Sequence, residues 1–187
     1  DCSVFSEYLH DLRARTLRLE ENIRKDLEHS GHRRFPIPNL IHEAWENAES
    51  QYRVAYPSQE DPPRKPVIKD DLDHLKVCHM PYVLVAILQD WFYNCMKNDL
   101  YASGYIEIRL WQGKRKAQGL AIYSPYSGTF IHDQPFGPLP ERVFDLMCEQ
   151  SKAAYGRIPI TKEIERDKGD KPAQKCTVIY LPEIGRA

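Results

Sequence analysis

The side chains best suited to bind another molecule lie between positions 105 and 123, where aromatic and basic residues alternate with apolar ones. Ile106, Ile108 and Leu110 occupy every second position, and this period of two predicts a strand with one buried and one presented face. Aromatic and arginine side chains anchor protein partners, and aromatic rings with nearby cations also hold nucleic-acid strands. The predicted binding residues are Tyr105, Arg109, Trp111, Lys114, Arg115, Lys116 and Tyr123.

Three interpretations of this aromatic and basic face stay open. The face binds another protein, or it binds single-stranded nucleic acid such as RNA, or the chain's own N-terminal helices cover it beside a solvated basic turn. The sequence lacks the Lys/Arg-Gly-Phe pattern of an RNA-recognition strand. We therefore place protein binding ahead of RNA binding.

Acidic residues near the same strand suggest metal chemistry. Asp99 precedes Glu107 and Arg109, and lysines follow, which is the acid–acid–lysine layout of metal-dependent nucleases. Two fragments, H-L-K-V-C-H-M at 74–80 and D-L-Y at 99–101 followed by I-E-I at 106–108, resemble the influenza-type polymerase endonuclease. The resemblance implies that His74, Asp99 and Glu107 ligate a divalent metal ion. The chain departs from that family in its shorter His-to-Asp interval, its missing middle acidic ligand and its missing later lysine.

The other ligand-type and nucleophile-type residues predict no site. His29 and His32 end the first predicted helix without an accompanying Cys-x-x-Cys motif, which is typical of a solvated helix terminus. Cys95 lies in an apolar stretch, where burial keeps a thiol neutral and inert. The dispersed glycines form no phosphate-binding loop. We therefore expect no metal, no cofactor and no enzymatic activity, and we keep a divalent-metal-dependent nuclease as the last alternative.

The first predicted element is a helical arm over residues 1–30. Its apolar seam follows alternating spacings of four and three and consists of Phe5, Leu9, Leu12, Thr16, Leu19 and Ile23. A seam this narrow is typical of coiled coils, although it also suits a helix packed on its own domain. The interpretation that favours a partner predicts self-association through Phe5, Leu9, Leu12, Leu19 and Ile23.

The pattern of helices and strands over residues 35–187 predicts a single α+β domain. A second helix begins at the cap Asn39 and ends near 56, and a third runs from 70 to 98 with an interruption at 80–81 and a buried half at 83–96. Strands are predicted at 105–111 and 119–123, where they form a hairpin. A last helix is predicted over 138–155, followed by a charged loop at 161–174 and the last strand at 175–181. The N-terminal helices therefore pack with a small, mostly antiparallel sheet, and one further helix precedes the last strand.

Composition limits the function classes. The 187 residues carry a net charge of −1 with 42% hydrophobic residues, which disfavours both a disordered chain and a uniformly basic nucleic-acid binder. The five scattered cysteines suggest a reducing compartment, and no apolar run is long enough to cross a bilayer. The expected protein is an intracellular interaction or assembly module, cytoplasmic or nuclear, that binds another protein or a second copy of itself and no membrane.

Overall fold

The structure, a computed structural model, describes residues 2–28, 34–58, 64–77, 79–97, 106–125, 139–164, 174–182 and 184–186. It is a mixed α+β fold, as predicted. The helices in these ranges are α1 Cys2–Glu28, α2 Ile37–Ala55, α3 Pro81–Lys97 and α4 Leu139–Tyr155. The strands are β1 Phe35–Pro36, β2 Val67–Ile68, β3 Leu75–Val77, β4 Glu107–Gln112, β5 Gln118–Pro125, β6 Ile160–Ile164, β7 Gln174–Leu181 and β8 Ile184–Arg186.

The strands form two sheets. The larger sheet has the order β2-β4-β5-β7-β6, and its pairs are antiparallel except for the parallel pair of β2 and β4. The smaller sheet has the order β1-β3-β8 and is antiparallel throughout. In the larger sheet Leu110 lies opposite Leu120, and Leu120 lies opposite Ile179 on the next strand. This register aligns apolar side chains of three strands on one face of the sheet.

The predicted buried helix, α3, lies at the centre of the core. Its residues 83–96 are buried on every side, as expected of a helix with apolar residues all round. Phe92 meets the Trp45 ring of α2 edge-on at 5.4 Å between centroids. The core also contains Ile108, Leu120 and Ile179 of the larger sheet, so the helices cover one face of that sheet.

Several predicted boundaries were wrong. The helix α2 begins at Ile37 rather than after a cap at Asn39, because a proline is tolerated in the first turn, where helix N–H groups have no partner inside the helix. Residues 70–77 form a 3₁₀ turn and the strand β3 instead of a helix. The expected charged loop contains the strand β6, which pairs with β7 along residues 160–164. Such short strands depend on the backbone partner that the neighbouring strand supplies.

The C-terminal half of α1 packs against the rest of the protein. The carboxylate of Asp26 accepts hydrogen bonds from the backbone N–H groups of Tyr82 (3.0 Å) and Val83 (2.8 Å), at the first turn of α3. These donors have no partner inside their own helix, so a buried carboxylate there satisfies them and complements the helix dipole. Arg18 donates to Gln51 of α2 at 2.5 Å and pairs with the buried Asp90 of α3 at 3.3 Å. No described helix is both long and apolar enough to traverse a membrane.

Candidate binding surface

The alternation of β4 divides its side chains between the two faces of the larger sheet. Ile106, Ile108 and Leu110 belong to the core, which confirms the predicted buried face. The opposite face, here called the hairpin face, includes Glu107, Arg109, Trp111, Gly119, Ala121, Tyr123, Ile160, Cys176, Val178 and Tyr180. Its apolar members form a small cluster of strand residues only, separate from the core. Within the described ranges, therefore, the helices lie on one face of the sheet and leave the hairpin face uncovered.

Trp111 is half-buried, and neighbours on the hairpin face hold its indole in place. The indole meets the Tyr180 ring edge-on, with 5.1 Å between the centroids. A Cβ atom at Gly113 would lie 2.1 Å from the Cη2 atom of this indole, so the ring covers Gly113 closely. The absent side chain of Gly113 thus provides the space that fixes Trp111 beside Tyr180.

At the other end of the hairpin face, Glu107 lies between two cations. The Glu107 side chain is 12% exposed and forms ion pairs with Arg109 and with Lys69, the latter at 3.4 Å. The Arg109 guanidinium also lies 4.4 Å from the centroid of the Tyr123 ring. Burial is the main cause that raises the pKa of the Tyr123 hydroxyl, and the neighbouring Cys176 raises it further. Tyr123 is therefore neutral near pH 7. The face therefore presents a guanidinium held over an aromatic ring.

The residues proposed as nuclease ligands are not brought together in the described structure. Glu107 lies in the larger sheet and is paired with cations, whereas His74 is exposed in the turn before β3 of the smaller sheet. Asp99 lies outside the described residues. A search of the described part of the chain finds no group of three His, Cys, Asp or Glu residues that could hold a metal ion. The nuclease remains a prediction.

The predicted basic turn lies at the tip of the hairpin, and Lys114 and Arg115 are exposed there. A cavity of about 400 Å³ adjoins this turn and is also lined by Tyr155, Arg157 and Tyr180. The sequence analysis missed Arg157 and Tyr180 because they reach the hairpin only through tertiary contacts. The alternation of Cys176, Val178 and Tyr180 along β7 is a signal that could have identified Tyr180. The predicted Tyr105 and the side chain of Lys116 lie outside the described residues.

The predicted self-association seam divides along α1. Leu19 and Ile23 are half-buried and pack against the core of their own chain, whereas the Leu9 side chain is 47% exposed. The side chains of Phe5 and Leu12 lie outside the described set. The seam is thus used within the chain in its C-terminal half, and its described N-terminal member faces solvent.

Comparisons with known proteins place the chain in no family. No family model matches it, and neither does any curated protein. Among solved structures it is similar to one titled "Mycobacterial sensor histidine kinase MprB", with a TM-score of 0.40 and 9% sequence identity. That similarity covers 76% of this chain and 95% of the other. A likeness this weak shows neither the fold nor the function of this chain.

Proposed function

We propose that this chain is a non-enzymatic protein-interaction module that binds an acidic partner protein through the hairpin face. The observation that carries the proposal is that no described helix covers this face, which presents Trp111, Tyr180 and Arg109 beside an apolar floor. Tryptophan, tyrosine and arginine are the residues most often found to dominate binding energy at interfaces. The scattered cysteines suit an intracellular setting. Cys95, Cys148 and Cys176 are free thiols.

The hairpin face is preorganised for binding. Trp111 is held against Tyr180, and the Arg109 guanidinium is held over Tyr123 by its ion pair with Glu107. Ordering a long side chain on association costs about 0.5–1.5 kcal/mol, and a side chain that is already ordered avoids most of this cost. Ala121 and Val178 form a buried apolar floor between these groups, so a partner residue would meet a firm surface.

Charge indicates the chemistry of the partner. Glu107 is buried beneath its two cations, whereas Arg109 is 43% exposed and Arg157, Lys114 and Arg115 lie exposed at the tip of the hairpin. An approaching molecule therefore meets positive groups around an aromatic centre. We infer a partner that places apolar residues over Trp111 and aspartate or glutamate residues at the rim, where opposite charges accelerate association.

The proposal is tested by affinity capture from extracts with matched variants. Trp111→Ala together with Arg109→Gln should abolish recovery of a discrete acidic protein, because the central anchor and the rim charge are both lost. Val54→Ala, at a position of α2 that is 82% exposed, serves as the control and should recover that protein as the wild type does. Equal recovery by all three forms would overturn the proposal, and circular dichroism verifies that each variant is folded.

Single-stranded RNA binding is the second candidate, because Lys114 and Arg115 form no ion pair with a described carboxylate. If RNA is the partner, ribonuclease treatment removes the captured material. Affinity for an oligouridylate would also fall steeply with salt, since phosphate contacts release counterions. A ribonuclease-resistant complex with weak salt dependence would exclude this candidate.

Self-association through the N-terminal half of α1 accompanies the main proposal, because Leu9 is exposed on the seam whose later members are packed. Leu9→Glu should convert a dimer to a monomer in light scattering, and circular dichroism should show that the monomer stays folded. Leu19→Glu should instead unfold or strongly destabilise the protein, since it places a charge against the core. A wild-type monomer, or a Leu9→Glu dimer, would contradict self-association at this seam.

A further inference from the structure

The cavity at the tip of the hairpin adjoins the hairpin face and has a basic lining. It lies between the hairpin turn, the C-terminal end of α4 and the end of β7. Its volume is about 400 Å³, and its polar or aromatic lining consists of Lys114, Arg115, Gln118, Tyr155, Arg157 and Tyr180. The volume lies within the range of roughly 300–1,000 Å³ that is usual for sites that hold small molecules.

The described residues of the lining include three cations and no carboxylate. Lys114, Arg115 and Arg157 form no ion pair with any carboxylate in the described part of the chain, whereas Arg18, Arg24, Lys25, Arg53, Lys69 and Arg109 all do. Three cations around one concave space repel each other, and the low-dielectric walls strengthen their joint field. An anion in the cavity would relieve this repulsion.

The backbone at the turn has a geometry that suits an anion. Arg115 adopts a left-handed conformation, with φ 58° and ψ 38°, directly after the helical residue Lys114. A right-handed residue followed by a left-handed one turns successive N–H groups toward the same side, which forms an anion-binding concavity. The turn is closed by a hydrogen bond from Gly113 N–H to the carbonyl of Ala117 at 2.8 Å.

Arg157 is oriented by an aromatic ring. Its guanidinium lies 5.2 Å from the centroid of Tyr180, and the other ring contact of Tyr180 is with Trp111. Stacking holds the planar guanidinium while its N–H groups remain available, and a guanidinium matches the oxygen spacing of a phosphate in two parallel hydrogen bonds. Lys114, which also lines the cavity, adds a compact charge.

We propose that this cavity is a binding site for a phosphate group, gripped by Arg157, Lys114 and Arg115. The group belongs either to a small phosphorylated molecule or to a nucleic-acid backbone, and the shared chemistry is a dianionic or polyanionic phosphate. The cavity shares Tyr180 with the hairpin face, and its three cations also belong to the positive rim of the protein-binding proposal, so the experiment below separates the two proposals.

Inorganic pyrophosphate is the first probe. Its binding is measured by nuclear magnetic resonance of the ¹⁵N-labelled protein at low salt. We expect saturable shifts of the amide signals of residues 113–118 and of Arg157. The double variant Lys114→Gln with Arg157→Gln should weaken binding by roughly tenfold or more, because it removes two charge-assisted contacts. Lys152→Gln, which removes an exposed charge from the last turn of α4 outside the cavity, is the matched control and should change the affinity less than about twofold.

Two further arms complete the test. A short oligouridylate that binds far more tightly than pyrophosphate, with a steep salt dependence, assigns the phosphate to a nucleic acid, whereas equal affinities assign it to a small molecule. Shifts that never saturate, or shifts that Lys152→Gln reduces as much as the double variant does, would overturn the proposal. Arg109→Gln alone leaves the contact between Trp111 and Tyr180 in place and removes a charge that does not line the cavity. This variant should still bind pyrophosphate, so failure of the protein-binding proposal would leave this result unchanged.

Discussion

The two faces of the larger sheet come from the same strands but differ in how deeply their side chains are buried and in which polar groups surround them. Ile108, Leu120, Ile122 and Ile179 are fully buried beneath the helices, whereas Trp111, Tyr123 and Tyr180 on the hairpin face are half-buried. Trp111 meets the Tyr180 ring, and Trp111 and Tyr123 pack on the small apolar floor of the face. Both faces have apolar side chains at their centre. Only the hairpin face surrounds them with guanidinium and hydroxyl groups, which remain solvated at the edge of a contact.

The difference shows that hydrophobic side chains alone do not mark a core. Aliphatic residues on the helix-covered face interdigitate with α3 and reach the packing density of an interior. Large aromatic residues on the hairpin face cover a small apolar floor and remain half-exposed. A face of this second kind can remain exposed in a folded chain and still offer area to a partner.

The largest expected effect contrasts neighbouring residues of β5. Ile122→Ala should lower the free energy of unfolding by about 2–5 kcal/mol, since it leaves a cavity in a packed core. Tyr123→Ala, on the hairpin face, should cost less than about 2 kcal/mol because its ring is already half-exposed. Urea denaturation with unchanged m-values measures both. Equal losses would mean that the hairpin face is covered, and the comparison of the two faces would fail.

An intermediate effect is expected at the glycines of the hairpin. A Cβ atom at Gly119 would lie 2.2 Å from the backbone oxygen of Ile179, so Gly119→Ala must push two strands apart and should cost about 1–3 kcal/mol. At Gly113 the nearest atoms belong to the Trp111 indole, so Gly113→Ala displaces one side chain instead of a neighbouring strand. Gly113→Ala should therefore cost less while changing the near-ultraviolet circular dichroism of the tryptophan. A larger loss at Gly113 than at Gly119 would contradict this order of effects.

The smallest expected effect concerns the helix layer that covers the core face. Burial raises the pKa of the Cys95 thiol from 9.0 to about 12, because the thiolate is poorly solvated there. The unfolded chain releases this proton at lower pH than the folded chain, so the associated stability is complete below pH 9 and is lost as the pH rises toward 12. At pH 10 the loss should be on the order of 1 kcal/mol.

Cys95→Ala isolates this thiol from other groups that titrate in the same range. Urea denaturation at pH 8 and pH 10 should show a smaller decrease for the variant than for the wild type. Tyr155, whose pKa burial also raises, contributes equally to both proteins and cancels in the difference. Identical decreases would show that the helix layer admits solvent to Cys95.

Periodicity was sufficient to predict the strongest elements of the fold. The alternation of Ile106, Ile108 and Leu110 identified the strand and its buried face, and the uninterrupted apolar stretch at 83–96 identified the central helix. The prediction failed at 70–77 and at 160–164, where strands of three and five residues depend on distant backbone partners. Such segments carry too little pattern of their own to be distinguished from a helix or a loop.

The candidate site could be predicted only in part for the same reason. Arg109, Trp111, Lys114, Arg115 and Tyr123 are close in sequence, and one hairpin places them together. Arg157 follows the end of α4, and Tyr180 lies on β7, so their meeting with that hairpin depends on strand order. The pairing of β5 with β7 brings Tyr180 opposite Gly119 and beside Trp111.

The sequence by itself determined which side chains share a face, because successive side chains of a strand point to opposite sides whatever else the chain does. It also determined that α3 would be buried, because its residues are apolar around the whole helix. Only the tertiary structure decided which face of the larger sheet the helices cover and which half of the α1 seam is packed. Those outcomes depend on contacts between residues far apart in the chain, and local backbone geometry does not encode them.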